Sequence, residues 1–344
     1  MQRETLEARR HVLGPQHADT LKSMTNLSTT LTLEAHYAEA EKLEREALDI
    51  QRRLLGPEDP EVLRSMSNLA ATLYREGRYA ETETLQRETI AMQTRILGGE
   101  HPDTLRTMSN LGNTLNKEGR IADAARVQTT MLESRRRVLG AEHPDTLMAM
   151  IELAASLRRQ GQYLEAEKLE REALDVERRV LGPEHPSTLT AMNNLSNTLI
   201  FEHRFADAEK LLRAALEIQR RVLGPEHPET VRSMVNLATS IVHQGRFDEA
   251  EKLEREALDI RRRVLMPNHP DTALSLYNLA ILQVRRHKPE EALKFLREAV
   301  DHGLPARTIL GIEKDQDFNP IHENEGFVAL VKYGKDKVAA QTAK

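Results

Sequence analysis

The chain has 344 residues, its 49 Lys plus Arg against 54 Asp plus Glu give a formal charge of −5, and only 3% of it is aromatic; this argues against the basic, ring-bearing stripe of a nucleic-acid binder. There is no Cys, so thiol catalysis, Cys-ligated zinc and disulfides are excluded and a reducing, cytoplasmic setting is expected. No apolar run approaches the roughly 20 residues of a membrane span, and Met1-Gln2-Arg3-Glu4 lacks a signal-peptide core, so no membrane partner is expected.

From the N-terminus, residues 1 to 14 align with Leu43 to Gly56 on a later stretch, which makes residues 1 to 12 the second helix of a unit whose first helix is missing. The chain therefore reads as starting mid-repeat, as a piece of something longer or a gene with a mis-called start. From residue 15 to 301 a 42-residue unit recurs seven times without insertion or deletion. Its punctuation is Leu55-Gly56-Pro57-Glu58-Asp59-Pro60, then Leu97 to Pro102, Leu139 to Pro144, Leu181 to Pro186, Leu223 to Pro228 and Leu265 to Pro270, with a frayed first copy at Leu13 to Ala18. A fixed period of this size predicts a solenoid, in which each unit buries its apolar face against its neighbours.

Residues 60 to 98 show the unit. Pro60 suits a first helical position and Glu61 the first turn, where the helix dipole favours an acid. Leu63, Met66, Leu69, Ala70 and Leu73 follow helical spacing, and Gly77 supplies a left-handed stop. A second helix opens near Tyr79 and ends at Gly98. In other copies this helix reads Ala166-Glu167-Lys168-Leu169-Glu170-Arg171-Glu172-Ala173-Leu174, whose Glu and Arg residues are expected on a solvated face, worth a few tenths of a kcal/mol per pair. After Val300 the period stops. The tail, 302 to 344, carries Ile309, Leu310, Ile312, an Asp317-Phe318-Asn319-Pro320-Ile321 turn and Phe327 to Val331, and is expected to cap the last helix pair.

Small residues recur at Ser28, Ala70, Gly112, Ala154, Ser196, Ala238 and Ala280 in the first helix and at Ala40, Ala124, Ala166, Ala208, Ala250 and Ala292 in the second, with Tyr37, Tyr79, Tyr163, Phe205 and Phe247 at the turn between. This pattern resembles the tetratricopeptide repeat over residues 1 to 301, and the longer unit with its Leu-Gly-Pro-Glu-His-Pro linker is similar to the repeats of kinesin light chains and of bacterial and fungal signalling proteins. The resemblance implies an all-α, right-handed α-solenoid of about seven helix pairs with a leading half-repeat and a C-terminal cap. It also implies a protein-interaction scaffold rather than an enzyme. The tail is similar to tails of bacterial tetratricopeptide proteins, including ones joined to Ser/Thr kinases.

Several columns are candidates for function. The histidines His17, His101, His143, His185, His227 and His269 lie a full repeat apart, too far to share one metal ion, and are read as linker residues that satisfy N–H groups at the start of the first helix. The methionines Met24, Met66, Met108, Met150, Met192 and Met234 share the face of the leucines and are read as core. Asparagines at Asn26, Asn68, Asn110, Asn194, Asn236 and Asn278 stand mid-helix, where Asn has poor propensity. Four residues earlier lie Lys22, Arg64, Arg106 and Arg232; three residues later lie Asn113 and Asn197. Amides can donate to and accept from an extended peptide backbone while the cations hold its carboxylates. In the similar kinesin light chains and the asparagine-ladder superhelix of O-GlcNAc transferase, this Asn contacts ligand backbone. The resemblance thus implies a concave groove that takes an extended, acidic partner segment. The competing reading is that each Asn braces neighbouring repeats. Glu152 breaks the column, and either changes the groove's specificity or pairs with a nearby Arg.

No phosphate loop, His-Glu-x-x-His or Ser/His/Asp set is present, so no catalytic residue, metal or cofactor is expected. Two other readings stay open: a regulatory arm of a larger signalling enzyme such as a kinase or nucleotide hydrolase, and a structural array that self-associates through the exposed half-repeat.

Overall fold

A computed structural model describes residues 1–342, and among these residues there is no strand. The chain forms two compact units, Met1–Leu169 and Glu170 onward. Unit 1 contains α1 (Gln2–Leu13), α2 (Ala18–Leu33), α3 (Tyr37–Leu55), α4 (Pro60–Glu76), α5 (Tyr79–Leu97), α6 (Pro102–Lys117), α7 (Ile121–Leu139) and α8 (Pro144–Arg159), and the division falls within α9 (Tyr163–Val180). Unit 2 contains α10 (Pro186–Phe201), α11 (Phe205–Val222), α12 (Pro228–Val242), α13 (Phe247–Val264), α14 (Pro270–Arg285) and α15 (Pro289–Asp301), then α16 (Ala306–Gly311), two 3-10 turns and α17 (Glu325–Thr342). Each repeat is a helix pair. Within a unit, each helix packs on the next in sequence, α1 on α2 through α7 on α8, and α10 on α11 through α14 on α15.

The recurring linker is a self-contained device. Helices α3, α5 and α7 stop at Gly56, Gly98 and Gly140, whose φ of 86°, 96° and 86° combine with ψ of 162°, 155° and 165°, a region open in practice to glycine alone. The next helix is capped by the His column: Nδ1 of His17, His101, His143, His185, His227 and His269 accepts the N–H two residues on at 3.1–3.2 Å. Asp59 does the same in the second repeat at 2.8 Å. Proline follows at the first position of α4, α6, α8, α10, α12 and α14, where its missing N–H costs nothing. Thr20, Thr104, Thr188 and Thr230 close the loop by donating to the carbonyls of Gly14, Gly98, Gly182 and Gly224 at 2.8–2.9 Å. The phrase that punctuates the sequence is therefore structural.

The turn inside each pair holds one residue in the left-handed region. Gly77, Gly119, Gly161 and Gly245 occupy it, but so do Ala35, His203 and His287 at φ 59–61°. Of the methionine column, Met24, Met66, Met150, Met192 and Met234 are buried with the leucines as core, whereas Met108 is half-buried. The tail packs on α14 and α15: Ile309, Ile312, Phe318, Ile321, Phe327 and Val331 join Leu276, Leu296 and Val300 in one buried cluster. Phe318 sits edge-on to Tyr277, whose hydroxyl donates to Asp315 at 2.5 Å.

The expectation of a solvated Glu/Arg face on the second helix is only partly correct. Its outer edge does carry ion pairs, and many join consecutive repeats: Arg10 with Glu46 and Arg52 with Glu88 in unit 1, Arg220 with Glu256 in unit 2, each at 2.8 Å. Yet Glu44, Glu170, Glu177 and Glu254 are buried, because the helix wedges between two neighbours and has two internal faces.

Candidate peptide-binding surface

The asparagine column lies along the first helices of the pairs, with Asn26, Asn68 and Asn110 on α2, α4 and α6 of unit 1 and Asn194, Asn236 and Asn278 on α10, α12 and α14 of unit 2. Asn26 and Asn110 are exposed and the other four half-buried. Among the described residues, the side chains of Asn26, Asn68, Asn110, Asn113, Asn194 and Asn197 make no hydrogen bond within the chain, and Asn236 Nδ2 is buried without a partner. Asn278 differs, since its Nδ2 donates to Glu254 Oε1 at 3.1 Å. Bracing between repeats falls to Asn278 of the column, to Glu152, which holds the column's place in α8, and to residues beside the column. Glu152 accepts from Ser109 Oγ at 2.8 and 2.9 Å, Asn116 Nδ2 donates to Ser156 at 2.9 Å, and Ser233 donates to Asn193 at 2.9 Å.

The predicted cations are engaged locally. Arg64 pairs with Glu61, Arg106 with Asp103 at 2.8 Å and Arg232 with Glu229 at 2.5 Å, each acid being three residues earlier in the same first turn. Lys22 is exposed. The sequence reading of these cations missed the helix-start acid that holds Arg64, Arg106 and Arg232.

Each unit has a hollow walled by two first helices and the second helix between them. In unit 1 it measures about 220 Å³ and is lined by Ser67, Ala71, Tyr74 and Arg75 of α4, Gln86 and Thr89 of α5, and Thr107, Asn110 and Asn113 of α6. The structure thus brings Asn110 and Asn113 together and adds Arg75, which the sequence did not single out. In unit 2 a hollow of about 190 Å³ is lined by Thr239 and Val242 of α12, His243 just after it, Glu254 of α13, Asn278, Ile281, Leu282 and Arg285 of α14, and Asp317 of the tail. Ala71, Tyr74, Arg75, Gln86, Asn110 and Asn113 map onto Thr239, Val242, His243, Glu254, Asn278 and Ile281 by four whole repeats. These are one place in the unit, furnished twice.

The floor of that place belongs to a buried polar column on the second helix: Glu44, Gln86, Gln128, Glu170 and Glu254, with Leu212 the apolar member. Burial raises the Glu44 carboxyl from 4.5 to about 6, although Thr72 donates to it at 3.1 Å. Burial raises Glu254 to about 8, against the opposing pull of the Asn278 hydrogen bond and the Arg261 charge. Burial and then the nearby Arg285 charge lower His243. A second column, seven residues on, ties three of these helices to the following repeat: Arg9 reaches Ser23 at 2.7 Å, Ser233 donates to Gln219 at 2.5 Å, and Arg261 reaches Ser275 at 2.7 Å. Among the described residues no His/Asp/Glu cluster fits a metal ion, and no helix is long and apolar enough to cross a membrane.

Helix pairs repeated at a constant interval, with small residues at the crossings and polar side chains left on the first helices, define an all-α solenoid of the protein-interaction class. Tetratricopeptide repeat profiles match residues 20–61, 61–130, 115–176, 145–220, 198–263 and 234–302, and the chain belongs to the tetratricopeptide repeat family. Its structural neighbours include kinesin-light-chain-like proteins. One is a Podosopora anserina protein described as a kinesin light chain with nearly identical repeats, 28% identical, with 60% of this chain and 98% of that one covered and a TM-score of 0.54. BtubC (BKLC) from P. vanneervenii is 22% identical over 69% of this chain and 94% of its own, with a TM-score of 0.56. A tetratricopeptide repeat protein from Parabacteroides merdae shares the fold at 14% identity, covering 92% of this chain and 99% of its own with a TM-score of 0.61. No curated protein matches the sequence.

Proposed function

We propose that this repeat scaffold captures an extended segment of a partner protein along the asparagine-bearing faces of its units, with Asn26, Asn68, Asn110 and Asn113 in unit 1 and Asn194, Asn197 and Asn236 in unit 2 bonding the segment's backbone. One observation carries the reading: amides placed mid-helix, at a propensity cost of roughly half a kcal/mol each, find no partner inside the chain among the described residues. A side chain that neither favours its helix nor braces its neighbours has its use outside the molecule. Arg75 beside Asn110 and Asn113 suits an acidic side chain of the segment. Lys22, Arg64, Arg106 and Arg232 then act at the rim, exchanging a first-turn acid for a ligand carboxylate. Such rim exchange affects association rate and salt dependence more than final affinity.

The test is a phage-displayed random peptide library selected on the intact protein, with enriched peptides measured by fluorescence anisotropy against Asn68→Ala/Asn110→Ala. The expected result is loss of at least tenfold in affinity with helicity and melting unchanged. Unchanged affinity, or a collapse of melting that signals a bracing role, overturns the proposal.

A further inference from the structure

The hollow of unit 2 differs from its counterpart in unit 1 by what stands on its floor. Gln86 is replaced by Glu254, a carboxyl 2% exposed whose Oε2 has no hydrogen-bond partner among the described residues. A buried carboxylate with an unfilled lone pair is costly unless a cation or donor meets it. The charged groups facing the hollow do not meet it. Arg285 of α14 donates to Asp317 of the tail at 2.5 Å. Arg261, on the same helix as Glu254, donates instead to Asp271 O at 2.9 Å and Ser275 Oγ at 2.7 Å. His243, at the C-terminal end of α12, is stacked on Phe205 with ring centroids 4.4 Å apart, and burial disfavours its charged form. Arg285 and Asp317 offset each other, which leaves ionised Glu254 as the uncompensated charge.

The remaining walls suit a guest with an alkyl stem. Val242, Ile281 and Leu282 supply apolar surface, while Thr239 and Asn278 supply neutral oxygens. Asn278 uses its amide N–H on Glu254 Oε1, so its carbonyl Oδ1 is left to accept.

We propose that this hollow is a binding site for a primary alkylammonium group, held by the Glu254 carboxylate with Asn278 Oδ1 and Thr239 Oγ1 as neutral acceptors. An ammonium brings three donors to those three acceptors. Its source is either a lysine side chain or a small free amine. The inference stands apart from peptide capture by the asparagines, because it needs only this hollow. Since Glu254 holds its proton up to about pH 8, binding below that pH releases one proton. Affinity then rises about tenfold for each pH unit up to that point.

The experiment is calorimetric titration of the intact protein with n-butylammonium, with a short peptide bearing one lysine, and with n-butanol and n-butyrate as controls. Saturable binding of either cation is expected, with whichever of amine or peptide binds more tightly naming the source. It should tighten about tenfold from pH 6 to pH 7 and weaken at least tenfold in Glu254→Gln, with circular dichroism unchanged. Thr239→Lys, which tethers an ammonium in the hollow, should also abolish it. No saturable binding of either cation, equal binding to Glu254→Gln or to Thr239→Lys, or preference for n-butyrate overturns the proposal.

Discussion

Replacing Glu254 by Gln isolates the energetic consequence of the buried column. The carboxyl titrates near 4.5 when exposed and about 8 in the fold. Between those values the folded chain keeps a proton that the unfolded chain has released, so stability is full below about pH 4.5 and declines as pH rises towards 8. At 1.36 kcal/mol per pH unit, the loss accumulated by pH 7 is about 3 kcal/mol. Gln keeps the shape and one oxygen for Asn278, and it does not titrate. Glu254→Gln should therefore match the wild type near pH 4.5 and exceed it by up to about 3 kcal/mol at pH 7. A repeat array does not unfold as one cooperative unit, so the assay is hydrogen exchange of α13 and α14 amides, corrected for intrinsic rates, at pH 5 and pH 7. A difference that is the same at both pH values would show that ionisation of Glu254 is not the cause. A variant less stable at both would show that the carboxyl makes a net favourable contact.

Three further outcomes follow from the local geometry. His101→Ala should cost about 1 kcal/mol by removing the α6 cap, and His101→Asp should restore it, since Asp59 already caps α4; protection of the first α6 amides reads both. Met266 stands at φ 76° where the other repeats place glycine, so Met266→Gly should stabilise the α13–α14 junction by about 1 kcal/mol or more, seen as slower amide exchange at the start of α14. Tyr277→Phe should cost about 1 kcal/mol through loss of the bond to Asp315, with faster exchange in the Gln316–Ile321 turn than elsewhere in unit 2.

The helices were legible because their boundaries rest on local chemistry. A cap, a proline and a glycine in fixed order leave the backbone little choice, and repetition shows the same choice many times. The asparagine column was legible for a similar reason, as a locally unfavourable residue at a constant position. Its hydrogen bonding was not legible. That Asn278 meets Glu254 while Asn110 meets nothing depends on what the adjacent second helix offers, and that helix reads as nearly uniform charge. In Glu251-Lys252-Leu253-Glu254-Arg255-Glu256, three glutamates differ only in which face they occupy: Glu254 is buried, while Glu251 pairs with Arg255 at 2.7 Å near the surface. The distinguishing signal is vertical. The column Glu44, Gln86, Gln128, Glu170, Leu212, Glu254 never holds a cation, whereas the next column holds Arg45, Arg87, Arg171, Arg213 and Arg255. This position takes Glu, Gln or Leu and never Lys or Arg, as an internal one does.

This separation of roles explains how an unvarying period coexists with varied hollows. The linker fixes backbone register through groups that face each other within the loop, the Gly carbonyl, the Thr hydroxyl and the His ring, so it constrains nothing on the helix faces beyond. An inserted residue would uncouple cap from proline and cost a whole helix start, while a substitution on the hollow's wall costs only its own contacts. Diversity in such a chain accumulates by exchange of side chains at fixed places. The two hollows show the result: Arg75, Gln86 and Asn113 stand in one where His243, Glu254 and Ile281 stand in the other. One set gives a cation among amides and the other a carboxyl against an alkyl wall, on the same backbone.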